Sequence, residues 1–310
     1  MSSPKKTVFI VCGPTAVGKT GFAIELAKHL KTEIINADSR QVYSELNIGV
    51  ARPSEKQLAI IKHHLMACFP VTRLYGAGDF EKDALNITHE LFKTHDTVVV
   101  CGGTGMYIKA FCEGLDDLPR ADVLYRLELK QRFEKNGIKD LQVELRTKDP
   151  AAVEIIDFEN PQRLMRALEI MHVGKQLYSD VLKGNKTKRD FNIVKIALNM
   201  PREVLYKRIN DRVENMVNEG LVQEVKQLMP YREHNALKTV GYTEMFDYLD
   251  GKIKLDDAVQ KIQQHTRNYA KRQLTWFRAD KDIKWFEPTN NKMGPLEYTE
   301  IINFVDSRMN

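Results

Sequence analysis

Eight consecutive residues, Gly13, Pro14, Thr15, Ala16, Val17, Gly18, Lys19 and Thr20, follow the spacing Gly-x4-Gly-Lys-Ser/Thr, whose chemistry is the holding of phosphate. In such a loop the backbone N–H groups surround an anion, and the glycines allow its close approach. Lys19 would bring a point charge to the phosphate oxygens, and the Thr20 hydroxyl a ligand for Mg2+. Further along stands Asp38, just after an apolar run. There it either faces whatever the loop holds or caps its own turn, as an Asp-Ser pair often does. Thr104 follows Gly102 and Gly103, where a hydroxyl and a glycine backbone could approach a ligand. Arg208 and Arg212 share a helix face, so they either clamp a diphosphate bidentately or pair with Asp211 and Glu214 nearby.

These groups need elements to carry them. Thr7 to Cys12 is a short β-branched run, a buried parallel strand, and Phe22, Leu26, Ala27 and Leu30 fall at helical spacing behind the loop. Glu33 to Ala37 predicts a second strand, directly before Asp38. From Arg52 to Gly78 the pattern is mixed, with helical character at Leu58 to Leu65 and an adjacent pair, His63 and His64, that makes a poor metal site. Asp79 to Lys93 is amphipathic, with Phe80, Ala84, Ile87, Leu91 and Phe92 on one side. Thr97 to Cys101 is a further core strand. It ends in Cys101 and glycines where a nucleotide hydrolase usually places an Mg2+-holding Asp. The loop therefore grips phosphate without the usual hydrolytic apparatus.

From about Leu115 to Asp190 helical segments dominate, among them Ala121 to Lys135 and Pro161 to Val173, with loops at Lys148-Asp149-Pro150 and Gly184-Asn185-Lys186. Asn192 to Met200 returns to strand, and a long helix after Pro201 buries Leu205, Ile209 and Val213. The pattern predicts an α/β fold, a P-loop NTPase-like parallel sheet flanked by helices. Residues 1–114 and 191–310 would form the core and 115–190 a mainly helical inserted domain. Near the end, Val259, Ile262, Thr266, Tyr269, Leu274 and Phe277 make an apolar stripe. Lys261, Arg267, Lys271, Arg272 and Arg278 lie on the same segment with no acid between them. With His265, Tyr269 and Trp276 as ring surfaces, this is either a nucleic-acid-binding helix or a solvated basic face.

At 310 residues, with 47 Lys and Arg against 42 Asp and Glu, the balance alone does not imply nucleic acid. No run is long enough to span a bilayer, and the opening residues lead into a strand without an apolar signal region. Cys12, Cys68, Cys101 and Cys112 show no Cys-x-x-Cys pairing and no metal spacing, so reduced thiols in a cytosolic protein are expected.

Taken together, the motifs resemble the tRNA dimethylallyltransferase (tRNA isopentenyltransferase) family from about Thr7 to Trp285. They are GPTAVGKT at 13–20, NADSRQVY at 36–43, NIGVARP at 47–53, DF at 79–80 and VCGGTGMYIKA at 100–110. DPAA at 149–152, NPQRLMRALE at 160–169, VGYTEM at 240–245 and AKRQLTWFR at 270–278 complete the set. With no Cys/His zinc-finger tail, the resemblance is to the bacterial type. It implies transfer of a dimethylallyl group from its diphosphate to N6 of the adenine 3′-adjacent to the anticodon, in tRNAs reading U-starting codons. It further implies Mg2+ on Thr20, diphosphate on Gly13 to Thr20, and Arg212 stabilising the leaving group. Asp38 would be the proton acceptor, with Thr104 beside the reacting centre. Asp38, Ser39, Arg40 and Gln41 would meet the tRNA near the flipped base. Arg126, Gln162, Arg163, Leu164, Met165 and Arg166 would meet the neighbouring anticodon loop; on the basic segment near the end, Arg267, Lys271 and Arg272 would be the residues to contact tRNA if that segment binds nucleic acid. The partners implied are tRNA and dimethylallyl diphosphate, with no membrane and no obligate protein partner, for a monomer in the cytoplasm. Two other classes compete: a small-molecule kinase using ATP, and a nucleic-acid-binding protein with regulatory nucleotide binding.

Overall fold

Runs of β-branched residues buried on both faces favour parallel pairing, and all six strands of the sheet pair in parallel. The computed structural model describes residues 6–116, 118–119, 122–182, 184, 186–288 and 294–309, apart from the side chains of 295 and 296. The opening residues 1–5, Ala121 at an expected helix start and Asn185 in an expected loop lie outside the described residues.

The chain runs β1 (Thr7–Cys12), α1 (Lys19–His29), β2 (Ile34–Asn36), α2 (Glu55–Leu58), β3 (His63–His64), α3 (Ala77–Leu91), β4 (Thr97–Cys101) and α4 (Gly105–Glu113). It continues through α5 (Val123–Asn136), α6 (Ile138–Lys148), α7 (Ala152–Ile155), α8 (Pro161–Gly174) and α9 (Tyr178–Val181). After these come β5 (Asn192–Leu198), α10 (Arg202–Asn218), α11 (Leu221–Gln227), α12 (Tyr242–Leu249), α13 (Leu255–Arg278), β6 (Ile283–Phe286) and α14 (Pro295–Met309).

The strand order is β3-β2-β4-β1-β5-β6. Along β1 the side chains alternate between two cores, Val8, Ile10 and Cys12 entering one, Phe9 and Val11 the other. Because β4 lies between β2 and β1, the carboxyl ends of three adjacent strands bring together the turn after β2, the turn after β4 and the loop after β1. That is where ligands gather in an open parallel sheet.

The chain divides into two units, Met1–Cys112 with Arg189–Asn310, and Glu113–Lys188. The second has its own core of Leu129, Leu141, Leu145, Ala152, Leu164, Met165, Ala167 and Leu168. Two of its helices, α5 and α8, start on side-chain caps: Asp122 accepts from the N–H groups of Leu124 and Tyr125, and Asn160 from those of Gln162 and Arg163, with Pro161 at the first turn of α8.

One expectation is corrected. The helical character placed at Leu58 to Leu65 belongs to Glu55–Leu58, where Ser54 and Gln57 form a capping box. His63 and His64 instead form the edge strand β3, paired with Ile34 and Ile35. The two rings bond separately, His63 Nδ1 with the Ile61 carbonyl and His64 Nε2 with Glu33.

Candidate active site

The loop after β1 enters α1 through Gly18 at φ 106°, a left-handed conformation that a side chain would strain. Lys19 Nζ donates to the Pro14 carbonyl at 2.7 Å, folding the ammonium back over its own loop. From α10, Arg208 Nε donates to the Ala16 carbonyl at 2.8 Å, and Arg212 reaches the Thr15 hydroxyl at 3.5 Å. Asp211 pairs instead with Lys207, and Glu214 accepts from Gln263. Three cations thus surround the loop, and none forms an ion pair with a carboxylate among the described residues. Burial holds the Lys19 ammonium below the ordinary lysine range; Cys101 and Asp38 oppose the shift and Arg212 adds to it. Burial and then Arg208 lower Arg212 in the same way. Such a cluster is short of one thing, a polyanion.

These groups line a cavity of about 790 Å³ together with Thr20, Asp38, Gln41, Tyr269 and Gln273. Asp38 serves its own turn as well as the cavity: Oδ1 accepts from the Arg40 N–H at 2.9 Å and the Gln41 N–H at 3.3 Å. Its Oδ2 has no hydrogen-bond partner among the described residues. Thr104 does not line the cavity. It lies behind Asp38, accepting the Ser39 N–H at 3.0 Å and donating to the Ser39 hydroxyl at 3.3 Å. Tyr269 also hydrogen-bonds Thr104, and burial pushes its phenol up to about 12. Gln41 spends both amide hydrogens on the carbonyls of Val50 and Ala51, which fixes the 50–51 wall of the cavity.

Gly102 and Gly103, expected to let the backbone approach a ligand, do line the cavity, and they also let the turn pack against the protein. A Cβ at Gly102 would stand 2.1 Å from the Ala37 carbonyl oxygen, and one at Gly103 2.3 Å from Gln273 Nε2. On the Cβ side the room is taken by protein. Cys101, buried at the end of β4, has its thiol raised by burial to about 12, so it is inert packing.

In the helical unit Arg126 and Arg166 both pair with Glu169, a carboxylate 1% exposed, and Arg166 also donates to the Pro119 carbonyl at 2.9 Å. Gln162 and Arg163 are exposed. Leu164 and Met165 are not: at 0% and 5% exposure they belong to the unit's core, and their side chains are closed to a nucleic acid. The helical period decides this, since neighbours of surface arginines in α8 turn inward. On α13, Lys271 and Arg272 are exposed, while Arg267 donates to Asn210 Oδ1 at 2.7 Å and Gln264 Oε1 at 2.7 Å. His265, expected to add a ring surface, stays about half exposed and bonds Glu244 through Nδ1.

Two structural residues escaped sequence reasoning. Glu224 accepts from the N–H groups of Asn47, Ile48 and Gly49 and from the Tyr242 hydroxyl, anchoring the loop along one cavity wall. Gln273 bridges the first loop and the β4 turn. Its signals in the sequence are its place in the AKRQLTWFR run at 270–278 and a polar residue on an apolar stripe. No helix among the described residues is long and apolar enough to cross a membrane.

Residues 41–280 match the family model of the IPP transferases. The tRNA dimethylallyltransferase 1 of Bacteroides thetaiotaomicron is 43% identical over 299 residues, 96% of this chain and 97% of that protein. Among solved structures, the full-length tRNA isopentenylpyrophosphate transferase of Bacillus halodurans matches with a TM-score of 0.74 at 36% identity, across 98% of this chain and 97% of that one. A eukaryotic dimethylallyltransferase acting on tRNA matches with a TM-score of 0.77 at 26% identity, across 91% of this chain and 74% of its own.

Proposed function

The chain belongs to the IPP transferase family and transfers a dimethylallyl group to tRNA, and on that premise we propose how the cavity divides the work. The diphosphate of dimethylallyl diphosphate sits on Gly13 to Thr20, ringed by Lys19, Arg208 and Arg212. The acceptor is N6 of the adenine 3′-adjacent to the anticodon in tRNAs reading U-starting codons, flipped into the cavity beside Asp38. One observation carries this reading. Three cations without a carboxylate partner and one carboxylate with a free oxygen, among the described residues, share a single cavity.

The allylic C–O bond breaks and its electron pair leaves on the diphosphate, where Lys19 and Arg212 stabilise the growing charge. The amine nitrogen forms the new bond to C1, and its proton passes to Asp38 Oδ2. Oδ1 stays on the Arg40 and Gln41 N–H groups, so the carboxylate accepts the proton without losing its orientation. Thr104 acts one step back by seating Ser39 and Tyr269.

The donor set near the loop is oxygen, sparse and open, with no group of three or more His, Cys, Asp or Glu suited to a metal among the described residues. That suits Mg2+, which keeps its waters; the Thr20 hydroxyl would hold it against the diphosphate. Bound there, it would supply positive charge to the leaving group. Arg126, Gln162, Arg163 and Arg166, with Lys271 and Arg272, contact the anticodon stem-loop through its phosphates and bases. The enzyme works as a monomer where tRNA is, in the cytoplasm.

The test is incubation with dimethylallyl diphosphate, Mg2+ and unmodified tRNA, with wild type beside Asp38→Asn. The variant keeps a turn-capping oxygen and loses the base. Wild type should yield N6-prenylated adenosine by mass, and Asp38→Asn should be slower by roughly a hundredfold with donor binding unchanged. Equal turnover would leave Asp38 a turn cap only. No product beside tight ATP binding would point to a small-molecule kinase.

A further inference from the structure

The buried residues of α13 are Ala258, Ile262, Ala270, Gln273 and Phe277, four apolar side chains and one amide. Gln273 is 5% exposed, so its polar atoms must find partners inside the protein. They do. Oε1 accepts the Thr15 N–H at 2.8 Å, and Nε2 donates to the Gly103 carbonyl at 2.8 Å. A primary amide is the side chain that supplies an acceptor and a donor at one end of a two-methylene stem. Glu lacks the donor, Leu lacks both, and Asn is a methylene short. Position 103 is shaped to receive it: an added Cβ would stand 2.3 Å from Nε2, while, its chain neighbours aside, the next residue, Lys19, comes no nearer than Nζ at 3.7 Å.

The two anchors belong to different halves of the chemistry. Thr15 lies in the phosphate loop and its hydroxyl meets Arg212. Gly103 precedes Thr104, which holds the Ser39 turn next to Asp38. One amide therefore spans from the diphosphate end to the amine end. We propose that Gln273 is a positioning residue for the transfer reaction. It fixes the register between the phosphate loop and the Thr104 turn, so that leaving group and acceptor amine are held in line. The inference rests on the reading of the site given above. Because Lys271 and Arg272 are exposed on the same helix, loss of the bridge should leave tRNA affinity alone.

The experiment compares Gln273→Leu with wild type below the melting temperature of both. Pyrophosphate affinity by titration calorimetry and kcat should each fall by about tenfold or more, with the Kd for tRNA unchanged within twofold. A second set separates positioning from loss of fold. Gly103→Ala should displace the amide and cost about as much as Gln273→Ala, and the double variant should be no worse than Gln273→Ala alone. A lowered melting temperature with kcat and pyrophosphate affinity within twofold of wild type would overturn the proposal. So would losses at 103 and 273 that multiply. Wild type that binds no pyrophosphate would remove the reading of the site and this proposal together, whereas a binding wild type matched by Gln273→Leu removes this proposal alone.

Discussion

Lys19 is an ammonium held among protein atoms with the Arg212 guanidinium as a like-charged neighbour and a carbonyl for its bond. Burial lowers its pKa below the ordinary 10.5, so keeping it charged costs the folded protein something that the unfolded chain does not bear. That cost is complete below the folded-state pKa and vanishes above 10.5, so the free protein gains stability from this group as pH rises through the window. A bound diphosphate works in the opposite direction, because it favours the charged form and raises the pKa again. Pyrophosphate binding should therefore take up protons at alkaline pH, and its affinity should fall as pH rises through the folded-state pKa of Lys19. Titration calorimetry in buffers of different ionisation enthalpy reads the uptake. Lys19→Met should abolish the part that exceeds the ligand's own titration, and an unchanged uptake would refute this account of the charge. At this scale the sequence spoke clearly for the loop, whose pattern is local. It was ambiguous for Arg208 and Arg212, because the period that turns them toward the loop also brings Asp211 and Glu214 within reach. Asp38 was posed as base or cap, and the geometry leaves room for both, one oxygen each.

Elements were legible where their own residues dictate them. The run Thr97–Cys101 is strand by composition, and the comparisons bear out the parallel α/β fold it belongs to. The edge strand β3 is His-His, and only pairing to Ile34 and Ile35 makes it a strand. Likewise β6, four residues long, owes its place to β5, and α14 packs on α1 far away in sequence. Such elements are products of tertiary context that no local pattern carries. The loop at Asn47 to Gly49 is the sharper case. Its sequence recurs in the family pattern, yet what holds it is Glu224, an unremarkable residue of α11. That carboxylate gathers three successive N–H groups at 3.2, 2.7 and 3.0 Å, with the Tyr242 hydroxyl at 2.7 Å. Glu224→Ala leaves all four donors without their acceptor, and should cost roughly 2–3 kcal/mol in urea unfolding. Since Asn47 and Ile48 line the cavity, the KM for dimethylallyl diphosphate should also rise several-fold while tRNA affinity holds. A variant of wild-type stability would show that water replaces the carboxylate at no cost.

For the whole molecule the question is whether the helical unit is a part or an appendage. Its core of Leu129, Leu141, Leu145, Leu164 and Leu168 is made within Glu113–Lys188, as expected of a unit that closes its own hydrophobic surface. The places where the chain enters and leaves are near one another. Inside that unit the Thr187 N–H donates to the Glu113 carbonyl at 2.7 Å; inside the other, Arg189 Nε donates to the Phe111 carbonyl at 2.8 Å. Replacing residues 113–188 by a short Gly-Ser linker should therefore impose little strain on the sheet. The phosphate loop, Arg208, Arg212, Asp38 and Gln273 all lie outside the excised segment. The shortened protein should unfold cooperatively and bind pyrophosphate within about threefold of wild type, because nothing that touches the anion has gone. Transfer to tRNA should fall by at least about a hundredfold, since Arg126, Arg163 and Arg166 leave with the unit and the complex weakens with every phosphate the protein no longer neutralises. Pyrophosphate affinity and prenylation measured on the same preparation separate the outcomes. If both disappear while the protein stays folded, the helical unit shapes the diphosphate site as well; if both persist, its arginines are not tRNA contacts and Glu169 holds them for stability alone.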